Sequence, residues 1–228
     1  MPPTVSVVIP VLFDADFASA LLATLPPGPA LEVIVVDGDA DARLAEIVGA
    51  RPSAVLLRTA PGRGRQMNAG AAAASGTWLL FLHADSILPG GWLEAIERLG
   101  DDVAGGWFRF ALDDSAWQAR MIERLTAWRV RWLRLPYGDQ GMFVRRQVFA
   151  ALGGFPDVPL MEDVSFIRRL GRAGPVVELP LPIQTSARRW RRDGWFRRST
   201  KNLALVGLYF LGVAPERLAR WYRSAARG

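Results

Sequence analysis

Acidic side chains collect where apolar runs end. Asp37-Gly38-Asp39-Ala40-Asp41 follows Leu31–Val36, and His83-Ala84-Asp85 follows Thr77–Leu82. Such groups can hold a cation or ligand hydroxyls, although Asp and Gly at these places also close strands and cap helices. A third acidic site, Glu162-Asp163, opens a helix-like stretch continuing through Arg168-Arg169-Leu170. A carboxylate on a first helical turn complements the helix dipole, and it is also rigid enough to serve as a general base. Gly62-Arg63-Gly64-Arg65-Gln66-Met67-Asn68 starts an Ala-rich segment. Free N–H groups at a helix start, joined by two guanidiniums, make a cradle suited to a diphosphate. Tyr137-Gly138-Asp139-Gln140-Gly141 adds a polar loop before a short strand.

Several chemistries are excluded by residue type. The chain has no Cys, so thiolate nucleophiles, disulfides and iron–sulfur clusters are out. His83 is its only His and Lys201 its only Lys, and neither a G-x-S-x-G elbow nor a G-x-x-x-x-G-K-[ST] loop occurs. Met1-Pro2-Pro3-Thr4 runs directly into a strand-like stretch, so no cleaved leader is expected. The longest apolar run, 203–214, spans roughly 18 Å as a helix against roughly 30 Å of hydrocarbon, too short to cross a bilayer.

The elements that must carry these residues alternate. Val5–Pro10, Leu31–Val36, Ala54–Leu57 and Thr77–Leu82 read as strands; 16–24, 41–50 and 66–75 read as helices between them. Continuous apolar strands separated by helices predict an α/β fold, a mostly parallel central sheet with helices on both faces. Ligands in such sheets bind beyond the strands' carboxyl ends, where the acids lie. Further on, Gly105–Phe110 reads as a strand. Trp117, Met121, Leu125, Trp128 and Trp132 recur on one helical face, which is expected to point into the core, a surface near lipid being the alternative.

Charge is unevenly distributed. The formal net charge of +6 divides into −3 over residues 1–187 and +9 over 188–228. A mildly acidic body argues against a nucleic-acid partner. The tail interleaves Arg188-Arg189, Arg191-Arg192 and Arg197-Arg198 with Trp190, Trp195 and Phe196. It is expected to form a helical extension, 188–228, packed on the domain of 1–187 or lying on an anionic membrane surface.

Taken in order, Val5-Ser6-Val7-Val8-Ile9-Pro10, Val35-Val36-Asp37-Gly38, Arg65-Gln66-Met67-Asn68-Ala69-Gly70, Phe81-Leu82-His83-Ala84-Asp85 and Met161-Glu162-Asp163-Val164 resemble the motifs of a family 2 glycosyltransferase. The resemblance covers roughly 4–190 and is closest to a small bacterial subgroup, the rSAM/selenodomain-associated transferases. It implies a GT-A fold and an inverting, metal-dependent hexosyl transfer from a UDP- or GDP-sugar to a hydroxyl acceptor, lipid-linked acceptors included. It also implies a cytoplasmic enzyme able to sit peripherally on the inner face of the cell membrane. By the same resemblance, Asp37 contacts the nucleotide base, Arg65 the base or diphosphate, and Pro10 and Asn68 fall on the donor side. Asp85 matches the last acid of the family's D-x-D signature, which holds Mn²⁺ or Mg²⁺. Asp163, beside Glu162, matches the catalytic base. Asp139 and Gln140 fall among acceptor and sugar contacts, and Arg189-Trp190 near the donor.

Two positions depart from the pattern. His83 stands where D-x-D has its first acid, which implies a metal site either mixed imidazole–carboxylate or leaner than usual; and no Ser-Thr pair follows Asp37. Two other readings compete: a nucleotidyltransferase, which would want a Gly-rich loop where Pro10-Val11-Leu12-Phe13 stands, and a non-catalytic sugar-nucleotide or membrane-binding module.

Overall fold

Four apolar runs of the first third become parallel strands: β1 (Val5–Val11), β2 (Leu31–Asp37), β3 (Ala54–Arg58) and β4 (Trp78–Phe81). The computed structural model describes residues 4–224; Met1-Pro2-Pro3, read above for a leader, lie outside the described residues. Helices α1 (Ala15–Thr24), α2 (Ala42–Gly49) and α3 (Arg63–Ala73) cross between the strands. The sheet continues through β5 (Ser86–Ile87), β6 (Gly105–Leu112), β7 (Met142–Arg145) and β8 (Val176–Thr185), in the order β3-β2-β1-β4-β7-β6-β8-β5. β7 is antiparallel to both neighbours, whereas β6 and β8 run parallel.

Strand order reverses direction at β1, whose neighbours are β2 on one side and β4 on the other. That is the topological switch point where an open α/β sheet forms a crevice. Its position follows from sequence, because β1 and β2 are apolar on both faces and can only be central. One core packs α1 and α2 against β1 and β2 through Ala18, Leu21, Leu44 and Val7; the other packs α3 and later helices through Met67, Val8, Phe149 and Phe166. Gly70 lets α3 approach β1 closely, since a Cβ there would collide with Val8.

β8 carries Pro180 and Pro182, which cannot donate to a ladder. Its pairing with β6 accordingly shifts register between Phe108↔Leu179 and Arg109↔Pro182. The remaining body helices are α4 (Trp92–Glu97), α5 (Trp117–Leu133), α6 (Arg146–Ala151) and α7 (Glu162–Ala173).

Helix α5 forms where expected but turns the opposite way. Ala119, Ile122, Thr126 and Val130 are buried, whereas Trp128 is 60% and Trp132 66% exposed, with Trp117 and Leu125 also exposed. The aromatic stripe is therefore not a core face. The residues that reach β6 are the smaller ones, which permit the close packing of Ala119 and Ile122 against Phe110 and Leu112.

Residues 188–224 form α8 (Arg188–Asp193), α9 (Trp195–Phe210) and α10 (Pro215–Ser224). They pack on the body through Trp190, Leu205, Val206 and Leu218. Among the described residues, no helix is long and apolar enough to cross a membrane.

Candidate active site

Two cavities meet beyond the carboxyl ends of β1 and β4. The larger, about 610 Å³, is an open cleft bordered by Pro10, Asp14, Gly62, Arg65 and Asp157. The smaller, about 140 Å³, lies behind it and is lined by Tyr137, Asp139, Glu162, Asp163, Asn202 and Tyr222. Arg63, His83, Asp85 and Arg189 line both. These four form the junction between an open cleft and an inner chamber.

The inner carboxylates are fixed by backbone. Met161, at φ +70°, takes a left-handed conformation that side chains seldom adopt and turns the chain into α7. Asp163 Oδ2 then accepts the Gly138 N–H at 2.7 Å, and Oδ1 accepts the Val164 N–H at 2.7 Å. Glu162 is only 3% exposed and faces Arg63 Nη1 at 3.3 Å. Burial pushes its carboxyl up, and the Arg63 guanidinium draws it back down.

Asp139 sits on the short 3-10 turn Gly138–Gln140. Burial pushes its carboxyl up to about 6, opposed by Arg129 and reinforced by the negative charges of Asp163 and Asp85. The adjacent Gln140 points away from the chamber. Its Nε2 donates to the Phe108 carbonyl at 3.1 Å, and its Oε1 accepts the Tyr137 N–H at 3.3 Å, so it pins the loop that presents Asp139.

His83 is held well below its ordinary pKa by burial and by Arg63 and Arg189, which leaves a neutral imidazole. A Cβ on Gly138 would stand 3.1 Å from His83 Nε2 and 3.2 Å from Asp163 Oδ2. The loop threads between the Asp163 carboxylate and the imidazole, and a side chain at 138 would crowd both. Asp85 Oδ2 lies 3.4 Å from Arg188 Nη2 and 3.9 Å from Arg189 Nη2. Arg188 also donates to Asp14 Oδ1 at 2.7 Å, tying the tail to the ends of β1 and β4.

The remaining expected residues divide. Arg65 borders the cleft and pairs with Asp157 at 2.8 Å. Arg189 reaches the junction, and Trp190 lines the chamber while its ring packs near Phe110. Asn68 faces the other side of α3, where its amide grips the Phe155 backbone at 2.8 and 2.9 Å and borders neither cavity. Asp37 is fully buried at the end of β2; Oδ1 accepts the N–H groups of Asp39 and Ala40, and Oδ2 faces Arg58 Nε at 3.6 Å without a hydrogen bond among the described residues. Gln66 closes the crevice floor, its Nε2 donating to the carbonyls of Val11 and Val36, both at 2.8 Å.

Sequence reading placed Arg63 in the diphosphate cradle with Arg65 but passed over Tyr137, Asn202 and Tyr222 as site residues. Asn202 and Tyr222 carry no local signal, because only packing of α9 and α10 brings them to the chamber.

Among the described residues no group of three or more His, Asp or Glu is placed to hold a metal. The chain offers two candidate donors, the neutral imidazole of His83 and the Asp85 carboxylate. That donor set does not make a closed cage, but it fits a cation whose other ligands are phosphate oxygens and water, the usual mode for phosphate-bound Mg²⁺.

A cleft at the switch point, a guanidinium-lined junction and a fixed carboxylate behind it make a site suited to an anionic ligand. The family model for glycosyl transferase family 2 matches residues 6–154. The chain belongs to glycosyl transferase family 2. The chain matches no curated protein sequence. Its fold is that of solved GT-A enzymes. The mannosyltransferase PcManGT from Pyrobaculum calidifontis, in complex with GDP-Man and Mn²⁺, is similar at 19% identity and a TM-score of 0.70, over 95% of this chain and 67% of that one. S. aureus TarS 1-349 is similar at 16% identity and a TM-score of 0.62, over 82% of this chain and 61% of that one. A TarS complex with UDP-GlcNAc gives 17% and 0.61, with 58% of its chain covered. The chain thus spans about three fifths of the length of the TarS 1-349 structures it matches.

Proposed function

We propose that this glycosyltransferase moves a hexosyl group from a UDP- or GDP-sugar to a hydroxyl acceptor, with inversion at the anomeric carbon. The reading includes lipid-linked acceptors and membership in the rSAM/selenodomain-associated subgroup. It takes residues 1–187 as the transferase domain and 188–228 as an extension that completes its site. The observation that carries it is the meeting of cleft and chamber at Arg63, His83, Asp85 and Arg189, with Asp163 on the chamber side.

In this reading the nucleotide lies in the open cleft, past Pro10 and against Arg65. Asp37 is assigned to the base side, where its buried Oδ2 faces Arg58 Nε at 3.6 Å, and the diphosphate reaches the junction. There Arg63 and Arg189 face the negative charge that grows on the leaving group, a stabilisation that strengthens as the glycosidic bond lengthens. A divalent cation, Mn²⁺ or Mg²⁺, held by Asp85 and His83 with diphosphate oxygens would add Lewis-acid neutralisation of the same charge.

The acceptor hydroxyl approaches from the chamber. Its oxygen forms the new bond to the anomeric carbon while the bond to the diphosphate oxygen breaks. The nucleoside diphosphate leaves with the electron pair, and the hydroxyl proton passes to Asp163. The Gly138 and Val164 N–H groups hold that carboxylate in one orientation. One displacement from the face opposite the leaving group gives inversion. Asp139 lines the acceptor side, and Gln140 acts through the loop.

The test is a thermal-shift screen of UDP-, GDP- and dTDP-sugars, each with Mn²⁺ and with Mg²⁺. A concentration-dependent rise in Tm with one nucleotide class, followed by release of that diphosphate when an acceptor hydroxyl is supplied, supports the proposal. No shift with any nucleotide sugar overturns it.

A further inference from the structure

The exposed side of α5 is unusual for a helix that also packs on a sheet. Trp117, Leu125, Trp128 and Trp132 recur at helical spacing, and all four stand in solvent. α9 runs beside it and adds exposed Phe196 and Leu203, with the Trp117 and Phe196 rings 6.0 Å apart between centroids. The apolar surface is therefore shared by two helices, and a continuous patch of this kind marks a binding face.

The cations around it form the second observation. Arg124 and Arg131 flank the aromatic stripe on α5, Arg134 follows its end, and Arg197 lies on the first turn of α9; all four are exposed. Among the described residues none of them forms an ion pair. The one acid of α5, Glu123, is occupied by Arg120 at 2.8 Å and by the Leu112 N–H at 2.7 Å, and α9 has no acid at all. A third observation links the face to the site. Between the helices opens a cleft of about 270 Å³, lined by Leu125, Trp128, Leu133 and Leu203, whose inner end is formed by Tyr137 and Asp139 of the catalytic chamber.

We propose that the α5–α9 face docks on an anionic lipid bilayer surface, with its Trp and Leu side chains in the headgroup region and its arginines on lipid phosphates. The sequence expectation centred that role on the basic tail and held a lipid-facing α5 only as the alternative to a core-facing one. The geometry instead puts most of the aromatic contact on α5, 117–133, while Trp190 of the tail is buried in the fold. Indole rings flanked by arginine suit the membrane–water boundary, where one end of the side chain is apolar and the other wet. A second copy is a poor occupant, because two such faces would bring unpaired arginines against each other. No described helix can span a bilayer, so the contact is a surface one. Docking in this orientation turns the α5–α9 cleft toward the lipid, giving a path from the bilayer to Asp139. The inference goes beyond the transfer reaction and does not depend on it.

The experiment is co-sedimentation of the full chain with phosphatidylcholine vesicles, with and without one-quarter phosphatidylglycerol. Binding to the anionic vesicles is expected, weakening with salt and falling at least about tenfold in Trp128→Asp/Leu203→Asp and in Arg124→Glu/Arg131→Glu. Val55→Asp, an exposed apolar position on the outer strand β3, is expected to bind as the parent does. Quenching of the unsubstituted protein's tryptophan fluorescence by brominated lipid in the anionic vesicles provides a readout that needs no variant. The proposal is overturned if the parent stays in the supernatant unquenched, or if the face variants bind as well as the parent. It is equally overturned if Val55→Asp loses as much binding, or if sedimentation velocity shows a dimer that Trp128→Asp/Leu203→Asp dissociates while no vesicle binds.

Discussion

The Gly138 N–H donates to Asp163 Oδ2 at 2.7 Å across 25 positions of sequence, coupling the 137–141 loop to the first turn of α7. The bond fixes one carboxylate oxygen while its partner oxygen takes the Val164 N–H. A proton acceptor prepared in this way has its orientation set before any acceptor molecule arrives.

Asp163→Asn keeps an oxygen for the Gly138 N–H and removes the charge. Turnover is expected to fall about 10²–10⁴-fold, the range for loss of a general base, with nucleotide affinity changing less than about threefold. Steady-state kinetics and titration calorimetry with the nucleoside diphosphate check both halves. Turnover within a factor of two of the parent would remove Asp163 from the mechanism.

Gly138→Ala places a Cβ 3.1 Å from His83 Nε2 and 3.2 Å from Asp163 Oδ2. Both groups must yield by a few tenths of an ångström, so kcat is expected to drop about 10–100-fold from misplacement alone. Tm should move little, because the backbone at 138 does not require glycine's left-handed freedom. Unchanged kcat would show that this loop does not set the base.

Asp139 gives a pH signature. Its carboxyl is raised to about 6 in the folded protein, against an ordinary value of 3.8. The folded state thus holds a proton that the unfolded chain has released. The stabilisation is complete below about pH 4 and is lost as pH rises through about 6, amounting to roughly 2–3 kcal/mol. Asp139→Asn should therefore flatten the fall in Tm between pH 4.5 and about pH 7 and be the more stable protein at neutral pH. Parallel Tm–pH curves for the two proteins would contradict the assignment.

Gln66 is a structural device at the bottom of the crevice, with one amide nitrogen serving two strand ends. Gln66→Leu removes a hydrogen bond from the buried carbonyls of Val36 and of Val11, the latter keeping the Gly38 N–H, costing about 1–3 kcal/mol. Urea denaturation should show a lowered midpoint at unchanged m-value. A midpoint equal to the parent's would mean that water replaces the amide.

The first four strands were legible within a residue or so because each is an apolar run ended by Asp, Pro, Arg or a turn, and a buried parallel strand has no other requirement. Asp85 was legible as a candidate because an acid ends such a run, Asp163 because it sits on the first turn of a helix, and Asp139 only through the family resemblance. β8 was not read as a strand. Its two prolines argue against one, and only the shifted register with β6 shows how the ladder accommodates them. The orientation of α5 was equally hidden. Periodicity defines a stripe, but whether Trp128 or Ile122 faces the sheet depends on the space left over β6. Asn68 shows a related gap, since its motif position is right for the donor side while its amide is spent on Phe155.

The chamber is walled by Arg189, Trp190, Asn202 and Tyr222, all encoded downstream of the last strand. During synthesis the sheet and its carboxylates are therefore made well before the wall that encloses them. Without residues beyond 187 the chamber would stand open to water on its inner side and the junction would lack Arg189. The wall closes where Arg188 meets Asp14 and Asp85 and the three last helices lie across the gap.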